Sequence, residues 1–376
     1  MIYFNNAATS YPKPPPVTAA VLQNIEGVPV SIYRENVTGM NVLDGCRGAV
    51  TDLFHFKDPE RVVLCSGATE AINMAVFGIL PERGHVITTT NEHNAILRPL
   101  FHLEDRGAIT LDVLPATSPG GISCPDLEQK IRDDTCLIAV NHASNVTGQV
   151  QSLDPIYEVC ASHEIPLLLD VSQSAGSTGI DLSGRPYLVA AFTGHKSLFG
   201  PPGTGGLVVG ESVRIIPWKF GGTGIRSELR SMPDLRPSSL EPGTPNYPGI
   251  AGLCAGIAFV VEQGVENLSK IRMELVRHLA GYLGPAGYSV HSVDADENPC
   301  GIVSFCRKGW SCEDIGYVLN HSYDIRLRTG LHCAPLIHKD LGTYPDGTVR
   351  VSFSPFNTHE EVDTLIEALE TIRGCK

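Results

Sequence analysis

Three short stretches place reactive residue types at the ends of apolar segments. Ser66-Gly67-Ala68-Thr69-Glu70-Ala71 follows one apolar run and opens a helical pattern. Free N–H groups at a helix start, with a small-residue turn and a hydroxyl, form an anion site suited to phosphate. Leu167-Leu168-Leu169-Asp170 ends an apolar strand in an acid, at the kind of position where α/β sheets hold ligands. In Phe192-Thr193-Gly194-His195-Lys196-Ser197 a lysine ends a strand, and the glycine-rich run 199–206 follows. A lysine amine forms Schiff bases once its surroundings favour the neutral form. Thr193 and His195 offer donors to a phosphate, and the glycines let backbone approach a ligand closely.

Each feature alone has a plainer explanation. The first is equally an N-cap with Glu70 in the first turn, the second a capping Asp, the third a solvated surface charge. Together they set a phosphate site, an acid and an amine, in that order, on successive strand ends. That set suits pyridoxal 5′-phosphate: Lys196 as its Schiff-base anchor, Asp170 beside its pyridine nitrogen. His93, after a strand at 85–89, is placed to stack on the ring. Asn145, after a strand at 135–140, is placed to bond the ring hydroxyl or a substrate. A lone His or Asn in a loop is otherwise a turn or capping residue.

The elements that must position these residues follow from periodicity. Apolar strands at 61–64, 85–89, 110–114, 135–140, 166–170, 188–193 and 206–209 alternate with helical patterns at 68–78, 94–106, 124–131 and 153–164. This alternation predicts an α/β fold with a mostly parallel, seven-stranded sheet covered on both faces. Beyond Asn246 the pattern changes to long helices near 248–263 and 268–283, short strands, and a last helix at 359–372. The expected division is a large α/β domain over 15–250. A smaller α+β domain over 251–376, completed by 1–14, carries the Cys333 segment.

The chain has 376 residues, 42% hydrophobic and 18% charged, with a net charge of −13. That is ordinary globular composition. An acidic chain gains no counterion-release drive toward nucleic acid, so no nucleic-acid partner is expected. Eleven cysteines without a C-x-x-C pair suit a reducing compartment. No basic, then apolar, leader and no long apolar run is seen, so the expectation is a cytoplasmic protein without a membrane span.

The ordered set of motifs resembles the class V aminotransferase branch of fold-type I pyridoxal-phosphate enzymes, within it the cysteine desulfurase and selenocysteine lyase family. The likeness runs nearly end to end. It includes Tyr3-Phe4-Asn5-Asn6-Ala7-Ala8-Thr9, residues 66–73, Glu92-His93, Ser144-Asn145-Val146-Thr147-Gly148, Asp170-Val171-Ser172-Gln173, Gly194-His195-Lys196, Gly243-Thr244-Pro245-Asn246 and Arg350-Val351-Ser352-Phe353. The resemblance implies that Lys196 carries the cofactor and that Asp170 pairs with its ring nitrogen. Gln173 bonds the ring oxygen and His93 stacks on the ring as a further catalytic residue. Ala68, Thr69, Thr193 and His195 hold the phosphate. Thr244 reaches the neighbouring subunit's phosphate, which implies a homodimer. Asn6, Asn145, Arg328 and Arg350 take the substrate, Arg350 by its carboxylate.

Arg328-Thr329-Gly330-Leu331-His332-Cys333-Ala334 narrows the reaction. Any one cysteine is more often a small buried hydrophobe. Cys333 instead sits in a turn beside His332, with Arg328 near, surroundings that favour the thiolate. The family's persulfide-forming cysteine occupies this position, which implies a cysteine desulfurase converting L-cysteine to L-alanine. The alternatives on this scaffold are selenocysteine lyase acting on L-selenocysteine, another class V lyase or aminotransferase, or a silent regulatory partner subunit. A zinc reading of His332, Cys333 and His338 lacks a fourth ligand and a standard spacing, so no metal is expected. The short connection 334–349 resembles the subgroup that hands its persulfide to a separate sulfur-acceptor protein. Leu331 stands where that subgroup often has a histidine, and Asn5 where an Asp is common.

Overall fold

The computed structural model describes residues 1–27, 41–117 and 120–374. The chain opens with β1 (Ile2–Tyr3), α1 (Pro15–Glu26) and α2 (Val42–Leu53). The alternating region then runs β2 (Val62–Cys65), α3 (Ala68–Ile79), β3 (Gly84–Thr89), α4 (Asn94–Asp105), β4 (Ile109–Leu114), α5 (Cys124–Gln129), β5 (Thr135–Asn141), α6 (Leu153–Ser162), β6 (Leu167–Asp170), β7 (Leu188–Thr193) and β8 (Gly205–Val209).

These strands form one seven-stranded sheet of order β2-β8-β7-β6-β5-β3-β4. β4, β3, β5, β6 and β7 pair in parallel, while β8 runs antiparallel to both its neighbours. The strands are apolar runs rather than alternating ones because both faces are covered. Their period of two divides them between two cores. Ile138, Val140, Leu167, Leu169 and Ala190 pack with Val50 of α2 and Ile156 of α6. Leu137, Ala139, Leu168, Val189 and Ala191 pack with Ile72 of α3 and Ile96 of α4. The parallel strands therefore end on one edge, at Thr89, Asn141, Asp170 and Thr193, with Asn141 in register beside Asp170.

The rest comprises α7 (Tyr247–Gln263), α8 (Val265–Leu283), β9 (Ser289–Val290), β10 (Ile302–Cys306), α9 (Cys312–Tyr323), β11 (Ile325–Arg326), β12 (Arg328–Gly330), α10 (Ile337–Asp340), β13 (Thr348–Ser352) and α11 (His359–Gly374). The antiparallel sheet β12-β13-β10-β9 lies in a separate core with α8, α9 and α11. β1 pairs in parallel with β11, and Phe4 packs edge-on against Phe353 in that second core. α7 belongs with the first core through Ile250, Leu253 and Ile257, and the chain bends at Gly264 before α8 enters the second. The 250/251 division expected from sequence falls inside α7. Among the described residues no single helix is long and apolar enough to cross a membrane.

One buried ion pair fixes the start of the site. Arg47 Nη2 of α2 meets Glu241 Oε2 at 2.5 Å, with both side chains nearly fully buried. Glu241 Oε1 accepts from the Leu64 N–H at 2.6 Å, two residues before the Ser66-Gly67 bend. Arg47→Met leaves Glu241 buried without its cation. We expect it to cost about 3–5 kcal/mol of unfolding free energy, read as a lower urea midpoint, whereas Asp44→Asn, at the exposed partner of Arg47, changes it by less than about 1 kcal/mol.

Candidate active site

A cavity of about 320 Å³ opens at the carboxyl edge of the large sheet. Its lining brings together most of the residues expected from sequence: Ala68, Thr69, His93, Asn145, Asp170, Gln173, Thr193, His195, Lys196, Arg328 and Arg350. They arrive from opposite sides. β6 and β7 end in Asp170 and Thr193, α3 presents its N-terminus, and β12 and β13 of the small sheet supply Arg328 and Arg350.

The anion cradle lies at the start of α3. Gly67 is its N-cap at φ +149°, and a side chain there would put its Cβ 3.4 Å from Thr193 Oγ1. Glycine thus keeps the space between the helix N-terminus and Thr193 open. The first intrahelical bond runs from Ala71 N to Gly67 O, so the Ala68 and Thr69 N–H groups are left for a ligand. Ser66 is occupied elsewhere, donating through N and Oγ to Glu70 Oε2 at 2.9 and 2.6 Å. The Nδ1 of His195 is buried without a partner.

Asp170 is buried, and its Oδ1 accepts from the Ser172 N–H at 2.8 Å. Gln173 Nε2 donates to Ala7 O at 3.0 Å, tying the cavity floor to the N-terminal segment. His93 caps α4, its Nδ1 accepting from the Ala95 N–H at 3.0 Å. The proton of the neutral ring therefore sits on Nε2. Burial and then the Lys196 charge lower the His93 pKa to about 4. Burial, Lys196 and Lys13 do the same to His195, also to about 4. Lys196 itself is lowered to about 8, chiefly by burial; Asp170 opposes this and Arg350 and Arg328 add to it.

On the far side, Arg350 is buried. Its Nη1 donates to Asn145 O at 2.9 Å and its Nη2 to Asn5 Oδ1 at 3.4 Å, and its Nε has no partner. Asn145 Nδ2 donates to His332 O at 2.7 Å, leaving its buried Oδ1 unpaired. Arg328 Nη2 donates to Cys333 Sγ at 2.8 Å. Cys333 lines an adjoining groove that shares Thr69, His93 and Ala95 with the main cavity.

Two expected residues are not brought to the cavity. Asn6 donates to Ser352 O at 3.0 Å and accepts from the Tyr11 N–H at 3.0 Å, so its side chain is committed to packing the N-terminal segment against β13. Its neighbours Ala7 and Ala8 line the cavity instead. Thr244 is exposed and lines a side cavity that shares Ser66, Glu70 and Gly203 with the main one.

The sequence reading assigned no role to three residues that the structure brings close. His332, read as a neighbour of Cys333 and set aside as a zinc ligand, lines the cavity, with Nε2 2.9 Å from Thr348 Oγ1 and Nδ1 buried without a partner. Asn141 lines it beside Asp170. Glu92 is fully buried, accepts from Thr89 Oγ1 at 2.6 Å, and is held well above the usual carboxyl range by burial, the nearby Asp170 charge adding to the effect. Adjacency to Cys333 and His93 was the available signal for His332 and Glu92. For Asn141 it was its place at the end of an apolar strand. Among the described residues no three His, Cys, Asp or Glu side chains converge as metal ligands.

The sequence profile of the family described as aminotransferase class-V matches residues 2–365. The chain belongs to this family, in its cysteine desulfurase branch. It is 28% identical to a probable cysteine desulfurase of Pyrococcus abyssi, over 99% of this chain and 94% of that one. It is 30% identical to a probable cysteine desulfurase of Xylella fastidiosa, over 99% and 91%. Among solved structures it is similar to the apo cysteine desulfurase of Thermococcus onnurineus, with TM-score 0.87, 28% identity and coverage of 99% and 94%. It is also similar to the cysteine desulfurase CsdA of Escherichia coli in an S-sulfonic acid form, with TM-score 0.87, 25% identity and coverage of 98% and 94%.

Family membership implies pyridoxal 5′-phosphate, and the cavity fits it on its own terms. The N-terminus of α3, opposite Thr193 and the unpartnered His195, suits a phosphate. The strand-end Asp170 suits a pyridinium, and Lys196 is the amine of lowered pKa. A lysine charged below its pKa cannot attack an aldehyde. We therefore expect capture of the cofactor by cofactor-free protein, trapped with borohydride and weighed, to rise as pH climbs through about 8 and level off above it. Removing the Asp170 charge in Asp170→Asn moves that midpoint down. An unmoved midpoint near the ordinary lysine value would contradict the burial argument.

Proposed function

We propose that this chain is a pyridoxal-phosphate-dependent cysteine desulfurase. It takes L-cysteine to L-alanine and leaves the sulfur as a persulfide on Cys333. One observation carries the reading: Cys333 Sγ lies 2.8 Å from the Arg328 guanidinium, on a loop whose His332 lines the same cavity as Lys196, Asp170 and Arg350. A thiol so placed has no part in a simple amino-group exchange. The names of the relatives support the same chemistry.

When bound, pyridoxal phosphate supplies an electron sink for bond changes at the substrate Cα. Ala68, Thr69, Thr193 and His195 would hold its phosphate, Asp170 its ring nitrogen, Gln173 its ring oxygen, and neutral His93 its ring face. Arg350 receives the substrate carboxylate with a guanidinium whose Nε still lacks a partner. Asn145, with its free Oδ1, and Arg328 complete that end of the cavity. Lys196 Nζ, in its neutral form, would take the proton from the substrate Cα. Cys333 Sγ then attacks the substrate sulfur, and the substrate's C–S bond breaks. After proton return the balance is L-cysteine plus the Cys333 thiol giving L-alanine plus the Cys333 persulfide.

Thr244, exposed beside the cradle rather than inside it, suits a role across a homodimer contact, reaching the partner's phosphate. The groove at Cys333 opens past Asn94, Arg98 and His102, the direction in which a sulfur acceptor would approach.

The decisive experiment incubates the purified protein with L-cysteine, weighs the Cys333 peptide for one added sulfur atom, and measures alanine alongside. Cys333→Ala is expected to keep the yellow cofactor and to lose sulfur release by more than roughly a hundredfold. Lys196→Ala is expected to lose the Schiff-base absorbance. If Cys333→Ala turns over cysteine at the native rate, the desulfurase reading fails. If it loses cysteine turnover but still cleaves selenocysteine, the site serves both substrates, with the thiol needed for only one.

A further inference from the structure

Behind the Cys333 loop lies a second pair of thiols that the proposed mechanism does not use. Cys306 ends β10 and Cys312 begins α9, joined by a five-residue turn. Both sulfurs point at one acceptor, Gly347 O, each at 3.4 Å. Cys312 also hydrogen-bonds Cys306, and His291 bonds Cys306 from the segment after β9. Cys312 is buried, whereas Cys306 is partly exposed. Two sulfurs held on one oxygen, with one of them partly open to solvent, form a close dithiol pair.

We propose that Cys306 and Cys312 are a reversible disulfide site that responds to hydroperoxides and acts on the Cys333 loop. Cys306 is the attacking sulfur. The hydrogen bond from Cys312 holds its pKa down, to about 5, with burial opposing and His291 assisting, while Cys312 is pushed up and keeps its proton. Cys306 attacks one peroxide oxygen, giving a sulfenic acid and releasing water. Cys312 then displaces the second oxygen as water and closes the disulfide. Two thiols and one hydrogen peroxide become one disulfide and two waters, and a dithiol reductant reverses it.

The link to the active loop is Gly347. At φ +78° its backbone lies so close to Gly330 that a Cβ would sit 2.1 Å from the Gly330 carbonyl carbon. The next residue, Thr348, holds His332 through both O and Oγ1. A disulfide leaves no S–H donor at Gly347 O, the point beside which Gly330 and, one residue on, His332 are packed. The effect on substrate binding rests on the desulfurase reading; the disulfide does not.

The test uses cofactor-loaded Cys333→Ser, in which the loop cysteine cannot itself be oxidised. After hydrogen peroxide, peptide mass should show residues 306 and 312 joined with loss of two hydrogens. Dithiothreitol should reverse the change. It should be absent when Cys306→Ser is added, with Cys312→Ala as a second variant should the first not fold. Irreversible oxidation of Cys306 with Cys312 still open to alkylation would overturn the proposal. L-Alanine, the product in that reading, is then titrated by its effect on the cofactor spectrum. We expect binding roughly fivefold weaker in the oxidised form and restored by dithiothreitol. Equal affinity in both forms overturns the link to the loop. A reduced protein blind to alanine points instead to failure of the desulfurase reading.

Discussion

The site rests on a buried guanidinium without a carboxylate. Arg350 comes from the small sheet and ends against Asn145 O from the loop after β5 and Asn5 from the N-terminal segment. It thereby joins three parts of the chain that are remote in sequence. Among the described residues no Asp or Glu pairs with it. Burying a charge this way is costly, and the cost appears as a pKa lowered to about 9 by burial and by Arg328. In the proposed reading the substrate carboxylate offsets that cost, so the energy of holding Arg350 ready is returned on binding.

The same logic covers the whole cavity. The chain carries a net charge of −13, yet the cavity collects Lys196, Arg328 and Arg350 against Asp170, with the Glu92 carboxyl behind it held well above the usual range by burial. His93, His195 and His332 all have lowered pKa values, because burial and these cations disfavour a further charge. The positive potential is thus concentrated on groups that meet anions, and the imidazoles remain neutral for stacking and hydrogen bonding. A phosphate at one end and a carboxylate at the other is what such a distribution selects.

The strand ends were legible in the sequence because both faces of the sheet are covered. Apolar runs such as Leu167–Asp170 and Leu188–Thr193 then stand out, and whatever polar residue ends them lies at the ligand edge. Asp170, Thr193 and Lys196 are found there for that reason. Residues from the second sheet carry no such signal. Arg350 lies mid-strand in β13, where only resemblance pointed to it. Asn6 shows the reverse failure: it sits in a motif beside Ala7 and Ala8, but its side chain turns away to satisfy backbone groups of β13 and Tyr11. Sequence adjacency could not tell which side of that turn faces the cavity. The small domain's edge was also hard to place, since two helices in succession do not show which core each joins: α7 packs with the first and α8 with the second, the change coming at Gly264.

The Cys333 loop joins these themes. His332 and Cys333 are consecutive non-glycine residues at φ +50° and +61°, a left-handed conformation that costs each of them on the order of 1–2 kcal/mol. Four contacts hold it: Asn145 Nδ2 on His332 O, the Asn94 N–H on Cys333 O, His332 Nε2 on Thr348, and Arg328 on the sulfur itself. Two of these come from the large sheet's loops and two from the small sheet. The loop is therefore pre-shaped by both cores, and the sulfur's position depends on how those cores meet. A thiol on a free loop would pay ordering entropy at every encounter. Here that cost is met during folding, which leaves Cys333 oriented at the mouth between the cavity and the outer groove.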